Sequence, residues 1–310
     1  MRQVWWNGKI IPESEAKVSI YDSSLMFGDC VFEMTRSFNG KQFKLEEHID
    51  RLFKSIKYLE IPMELSKQDV LKACKETQLA NKFDKGDEHR LMINVTRGTL
   101  PMYHETGNVG TNVIIADFPL RWTVAGMGSL FEEGINAFTP SQRAIPAHLL
   151  EPKVKHRSRI HFLKANIEAS RLEGKNNWPI LQDEDGYLTE GTGCNFFIVH
   201  RGMPITPMPK TILSGISRSY IFELSPCGQA DFNAYDVMND ADEAFVTATP
   251  FCMLPVTSFN GQPIGDGKVG PVFKDILKKW SDNVGVDIKK QIQSWEGSKG
   301  GTSTYGFKRA

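Results

Sequence analysis

The chain has 310 residues, 40% of them hydrophobic and 24% charged, with 37 basic side chains matched by 37 acidic ones. That composition supports a large core and, by length, roughly two domains, and it excludes a mostly disordered chain. Zero net charge argues against broad electrostatic binding to nucleic acid or to an anionic membrane surface. The N-terminus lacks the basic stretch and apolar run of a signal peptide, and no segment approaches about 18 uninterrupted apolar residues. The five cysteines are scattered and never form a C-x-x-C pair. This argues against a disulfide framework or a thiolate zinc site and points to a cytoplasmic setting.

In chain order, Asn7-Gly8 predicts a hairpin over residues 4–11. Asn39-Gly40 predicts a second, pairing Val31–Phe38 with Gln42–Leu45. Ile49, Leu52, Phe53, Ile56 and Leu59 recur at spacings of three and four, which predicts an amphipathic helix. Ser66 followed by Asp69 predicts a capped helix running to about Asn81. Leu91–Thr96 and Asn112–Phe118 are β-rich, and the loop between them, Gly98–Gly110, is long enough to carry function. Residues 119–132 connect to a second set of elements that begins at Gly134–Phe138, with a helix at Ile160–Leu172 and strands at Trp178–Gln182 and Asn195–Val199. A helix near Ser214, a strand at Ala244–Ala248 and a helix at Val272–Asn283 complete it. The expected organisation is a small α/β domain over 1–120, a connection over 121–132, a larger domain over 133–290 and a flexible tail over 291–310.

Four clusters carry candidate chemistry. Lys153-Val-Lys155-His156-Arg157-Ser158-Arg159 crowds cations, which favours the neutral, nucleophilic form of a lysine amine; it also reads as a solvated basic turn. Glu190 lies in Leu-Thr-Glu-Gly-Thr-Gly-Cys-Asn, where one carboxylate can meet a cationic ring nitrogen, or where the glycines serve only backbone angles. Leu213-Ser214-Gly215-Ile216-Ser217-Arg218 places Ser214 to cap a helix whose first amides suit a phosphate, with Thr247 and Thr249 as further hydroxyl donors; an ordinary cap is the plainer reading. His48-Ile-Asp-Arg51 sets an arginine beside an apolar stripe, where it wants an anionic partner: a phosphate, or a surface salt bridge to Glu47 or Asp50.

Taken in order, F-G-D-x-V-F-E, H-x-x-R, K with R-S-R downstream, T-E-G-x-x-x-N, L-S-G-I-S-R and T-A-T-P resemble the class IV aminotransferases, enzymes of fold type IV that use pyridoxal 5'-phosphate. The resemblance covers roughly residues 1–285. It implies an α+β two-domain fold with a small N-terminal α/β domain and a larger, barrel-like C-terminal one, assembled as a homodimer. It implies that Lys155 forms the Schiff base with the cofactor and shuttles a proton, with Lys153 as the competing choice. Glu190 would pair with the pyridine nitrogen, and Arg51, the amides of Ile216 and Ser217, and Thr249 would hold the phosphate. Leu213 would pack on the ring, and Arg159 would approach the phenolic oxygen. Phe27, Phe32, Arg90, His104 and Pro250 would line the substrate side. Met102 stands where D-amino-acid members have an arginine, and Phe27 where branched-chain members have a tyrosine. The implied activity is amino transfer between a small hydrophobic or branched-chain-like amino acid and a 2-oxo acid. The alternatives are an aminodeoxychorismate lyase and a D-amino-acid or (R)-amine transaminase. No metal is expected, because His156 and His161 lack the spacing of a helical zinc pair.

Overall fold

The computed structural model describes residues 1–106 and 110–297 of the chain. They divide into two compact units, Met1–Leu120 with Val154–Arg159, and Arg121–Lys153 with Ile160 onward.

The first unit runs β1 (Gln3–Trp6), β2 (Lys9–Pro12), α1 (Ser23–Phe27), β3 (Cys30–Met34), β4 (Ser37–Phe38), β5 (Lys41–Gln42), α2 (Leu45–Tyr58), α3 (Lys67–Ala80), β6 (His89–Thr96) and β7 (Asn112–Pro119). Among the described residues five strands form an antiparallel sheet in the order β2-β1-β7-β6-β3. Leu91, Ile93 and Val95 alternate along β6 and are fully buried; with Trp5, Val31 and Ile115 they join a core that includes Ile49, Leu52 and Ile56 of α2 and Val70 of α3. Each such aliphatic side chain contributes about 1.5–3 kcal/mol when removed from water, an upper figure because denatured chains already bury part of that surface. Ser66 and Asp69 form a reciprocal capping box at α3, as their spacing predicts.

The Asn7-Gly8 turn joins β1 and β2, with both residues at positive φ as a two-residue hairpin requires. The second predicted hairpin differs. Asn39-Gly40 joins only the two-residue strands β4 and β5, β3 pairs instead with β6, and Leu45 opens a helix. The turn is tied down by Glu88, whose carboxylate accepts from the amides of Asn39 at 2.6 Å and Gly40 at 3.1 Å. Val31 gains more by joining the core than by following the turn.

The second unit runs α4 (Arg121–Val124), α5 (Leu130–Glu133), β8 (Ile135–Phe138), α6 (Ile160–Ala169), β9 (Asn177–Gln182), β10 (Leu188–Gly191), β11 (Asn195–His200), β12 (Met203–Thr206), α7 (Ile216–Leu224), β13 (Gly228–Gln229), α8 (Ala234–Asp240), β14 (Glu243–Ala248), β15 (Cys252–Phe259), β16 (Gln262–Pro263), α9 (Pro271–Val284) and α10 (Ile288–Ser294). The sheet path is β10-β9-β8-β15-β14-β11-β12-β13, and β10 also pairs with β11. That extra pairing closes six strands, among the described residues, into a barrel. Phe196, Phe197, Val246, Leu254 and Phe259 are fully buried and fill this unit's core. The fold is the two-domain, barrel-containing α+β architecture that the family resemblance implies.

Two boundaries shift. Residues 154–159 cluster with the first unit, because Arg157 N donates to Cys30 O at 2.8 Å and Phe32 N to Lys155 O at 2.9 Å. The segment expected as a tail from 291 begins inside α10, where Ile292 and then Trp295 are buried; residues 298–310 lie outside the described residues.

Candidate active site

The sequence-predicted site residues fall in both units, and each set has its own internal geometry.

In the first unit, Lys155 lies on the extended segment that bridges to β3, its own amide donating to Ser55 Oγ of α2 at 3.2 Å. Its Nζ sits 4.9 Å from the centre of the Phe32 ring, which is buried. The guanidinium carbons of Arg157 and Arg159 lie 3.7 and 5.6 Å from the same ring centre. Three cations therefore share one aromatic ring, an arrangement the ring's quadrupole favours. The field acts on His156, whose imidazole is pushed down to about 4 by burial first and by the charges of Arg159 and Lys155 next. His156 is a neutral, buried side chain at neutral pH.

Arg51 has the anionic partner its position asks for. Its Nε donates to Glu33 Oε1 at 2.6 Å and its Nη2 to Oε2 at 2.7 Å, and His48 Nδ1 lies 2.7 Å from Oε2. Glu33 and His48 are fully buried and Arg51 nearly so. Burial opposes the charge on Glu33, but the Arg51 guanidinium and then His48 outweigh it and hold the carboxyl well below the usual carboxylate range. An ionised Glu33 makes His48 Nδ1 the donor, which leaves Nε2 as a buried acceptor with no hydrogen-bond partner. The carboxylate that Arg51 engages bidentately is thus the buried Glu33 of β3, rather than a surface acid on its own helix. Glu33 was given no role by sequence reasoning, although it ends the F-G-D-x-V-F-E motif and is a lone acid inside the apolar run Cys-Val-Phe-Glu-Met.

Arg90 is buried on β6, with Nη2 3.7 Å from Met34 Sδ. Phe27 ends α1 two-thirds exposed, and its carbonyl accepts from Ser158 Oγ at 3.0 Å. His104 falls in the 3-10 segment Pro101–Thr106, and its side chain lies outside the described residues.

In the second unit, Glu190 is buried on β10 opposite Asn195 of β11. Asn195 Nδ2 donates to Glu190 Oε2 at 3.0 Å and to Leu213 O at 3.1 Å, so one amide ties the carboxylate to the turn before α7. Gly215 must be a glycine here: a Cβ would overlap Asn195 Oδ1. Gly215, not Ser214, is the N-cap of α7, and no side chain caps it. The amides of Ile216 and Ser217 stand at an N-terminus that carries the positive end of the helix dipole. Thr247 Oγ1, across the sheet from Asn195, is buried and has no hydrogen-bond partner. Thr249 and Pro250 follow directly after β14, half-buried. An uncapped helix start, an orphaned buried hydroxyl and a carboxylate fixed as an acceptor form a donor set that fits a phosphorylated cofactor with a protonated ring nitrogen. Asn195 was also missed as a positioning residue, although its place at the end of the T-E-G-x-x-x-N run marked it.

Residues 30–259 match the family described as amino-transferase class IV. The chain belongs to the class IV aminotransferases. Among its relatives, a Methanocaldococcus jannaschii protein named as a candidate branched-chain-amino-acid aminotransferase is 34% identical over 91% of this chain and 99% of its own length. The D-alanine aminotransferase of Bacillus licheniformis is 30% identical over 94% of this chain and all of its own. The crystal structure of Escherichia coli branched-chain amino acid aminotransferase aligns with a TM-score of 0.79 at 25% identity, covering 96% of this chain and 97% of that one. This class IV chain is therefore an enzyme that transfers amino groups.

Proposed function

We propose that the protein is a pyridoxal-phosphate-dependent transaminase acting between a small hydrophobic, branched-chain-like amino acid and a 2-oxo acid. The observation that carries this is the Glu190–Asn195–Leu213 link beside the uncapped start of α7, because it fixes an acceptor carboxylate and an anion-binding helix end on one turn. Bound pyridoxal phosphate supplies an electron-withdrawing ring that spreads the negative charge developing at the substrate α-carbon. Lys155 Nζ removes the α-proton and returns it as general base and acid. Glu190 holds a proton at the ring nitrogen, and Asn195 Nδ2 keeps its carboxylate aimed. Arg51, the amides of Ile216 and Ser217, and Thr249 bind the phosphate. Leu213 packs on the ring face, and Arg159 meets the phenolic oxygen. Phe27, Phe32, Arg90, His104 and Pro250 bound the substrate.

The same reading makes the protein a cytoplasmic homodimer. Ile20, Leu25, Phe27 and Met102 each expose about two-thirds or more of their surface, a supply of apolar area that suits a second copy of the chain. No helix among the described residues is long and apolar enough to cross a membrane.

Borohydride reduction of the protein loaded with pyridoxal phosphate, followed by peptide mapping, tests the assignment. Cofactor fixed on Lys155 supports it. Cofactor fixed on Lys153, or on neither lysine, overturns the role given to Lys155.

A further inference from the structure

The cations around Phe32 carry more than Lys155 chemistry needs. Arg157 lies two residues beyond Lys155 on one extended segment, and its guanidinium stacks at 3.7 Å on the ring that Lys155 Nζ approaches at 4.9 Å. Its orientation is set from a second side: Nε and Nη2 both donate to Asn94 Oδ1 of β6, at 3.1 and 2.7 Å. Asn94 is a neutral partner, so this contact aims the guanidinium without cancelling its charge. The adjoining Ser158 is pinned as well, its Oγ donating to the carbonyls of Phe27 at 3.0 Å and Gly28 at 3.2 Å. Arg157 nevertheless remains exposed. A long side chain locked by stacking and a bidentate bond, yet open to solvent, has already met the entropy cost of binding something.

We propose that Arg157 is a specificity-determining residue that anchors the α-carboxylate of the amino-acid and 2-oxo-acid substrates. Covalent geometry makes this a strict test of place. In an α-amino acid the carboxylate carbon lies only about 2.5 Å from the amino nitrogen, so the carboxylate arrives wherever the reacting nitrogen does. Lys155 is where that nitrogen reacts, and Arg157 is the cation on the same ring whose planar, pre-aimed fork suits a carboxylate. The two remaining charges make an anion welcome there, since three cations around one ring repel each other. The substrate class that follows is carboxylate-bearing, not simple amines. This rests on Lys155 as the reacting lysine of the function proposed above.

The experiment uses the full chain loaded with pyridoxal phosphate. Calorimetry measures binding of 4-methylvalerate, a branched acid with no amine to react, to the wild type, Arg157→Gln, Arg157→Lys and Asn94→Leu. In parallel, turnover is compared for leucine, as each enantiomer, and 3-methylbutylamine, which is leucine without its carboxylate. Arg157→Gln is expected to weaken acid binding about 10- to 100-fold and to lower the preference for leucine over the amine by a similar factor. Arg157→Lys should recover part of both, and Asn94→Leu should weaken acid binding less than Arg157→Gln does. Equal acid affinity in wild type and Arg157→Gln overturns the proposal, and so does a wild type that does not bind the acid. Thermal unfolding of each variant separates loss of fold from loss of the anchor, and Asn94→Leu decides the matter if Arg157→Gln is unstable. Cofactor uptake, read first from the visible spectrum, reports on the proposed function separately; acid binding is scored whatever that spectrum shows.

Discussion

The two units bury charge in opposite ways. The first surrounds Glu33 with two side chains, Arg51 and His48, in a buried ion network whose parts come from β3 and α2. The second ties Glu190 through the neutral amide of Asn195 to the backbone carbonyl of Leu213, and leaves the start of α7 without a side-chain cap. An ion network stabilises its own members and is costly to break one partner at a time. A carboxylate positioned by an amide donor keeps lone pairs with which to accept from a ligand. The first unit thus presets a cation, and the second presents an acceptor and open donors.

That contrast can be broken at several points. The largest effect belongs to Lys155→Ala, which should abolish the absorption of the lysine–cofactor Schiff base and lower turnover by about a thousandfold or more, read by spectroscopy and steady-state kinetics. Lys153→Ala should do neither.

Glu33→Gln comes next. It leaves Arg51 buried beside an uncharged partner, so denaturant unfolding should show about 3–5 kcal/mol of lost stability. If the loss stays below about 1 kcal/mol, the ion network does not hold the first unit as described.

Gly215→Ala should act on the second unit alone. Its added methyl displaces the Asn195 side chain, so pyridoxal phosphate should bind more weakly and stability should fall by about 1–3 kcal/mol. Equilibrium dialysis and thermal unfolding read the two effects. Unchanged cofactor affinity would show that the Asn195 link does not aim Glu190.

The smallest effect is a slope with pH. His156 titrates near 4 when folded, and an unfolded histidine near 6.5. Between those values the unfolded chain holds a proton that the folded imidazole refuses, so stability falls as pH drops through that window. Unfolding midpoints at pH 7, 6, 5 and 4 should decline less in His156→Asn than in the wild type.

Local chemistry explains what was legible in the chain. The Ser66–Asp69 box, the stripe from Ile49 to Ile56 and the Asn7-Gly8 turn all rest on residues within a few positions of one another, and all stand where expected. Lys155, Glu190 and Leu213 were found as motif members, but their settings were not. Glu33 lies 18 residues before Arg51, and the pairing of 154–159 with β3 spans more than a hundred. No periodicity signals such contacts. The strand β15 escaped notice because Pro255 sits inside it and Cys252 enters it at φ 65, both of which read as breaks. The cap of α7 was misplaced by one residue because Ser214 is the stronger N-cap type, whereas the close approach of Asn195 demands glycine at the cap itself.

The most direct test of the central claim, that this chain performs amino transfer through a lysine-held cofactor, is the visible spectrum of the purified protein with pyridoxal phosphate. Single L- and D-amino acids are added with no oxo acid present. The expected result is a yellow band that bleaches toward the aminated cofactor with one enantiomer of a small hydrophobic amino acid, and returns when a 2-oxo acid is supplied. A protein that stays colourless with added pyridoxal phosphate, or a yellow one that no amino acid bleaches, would contradict the account.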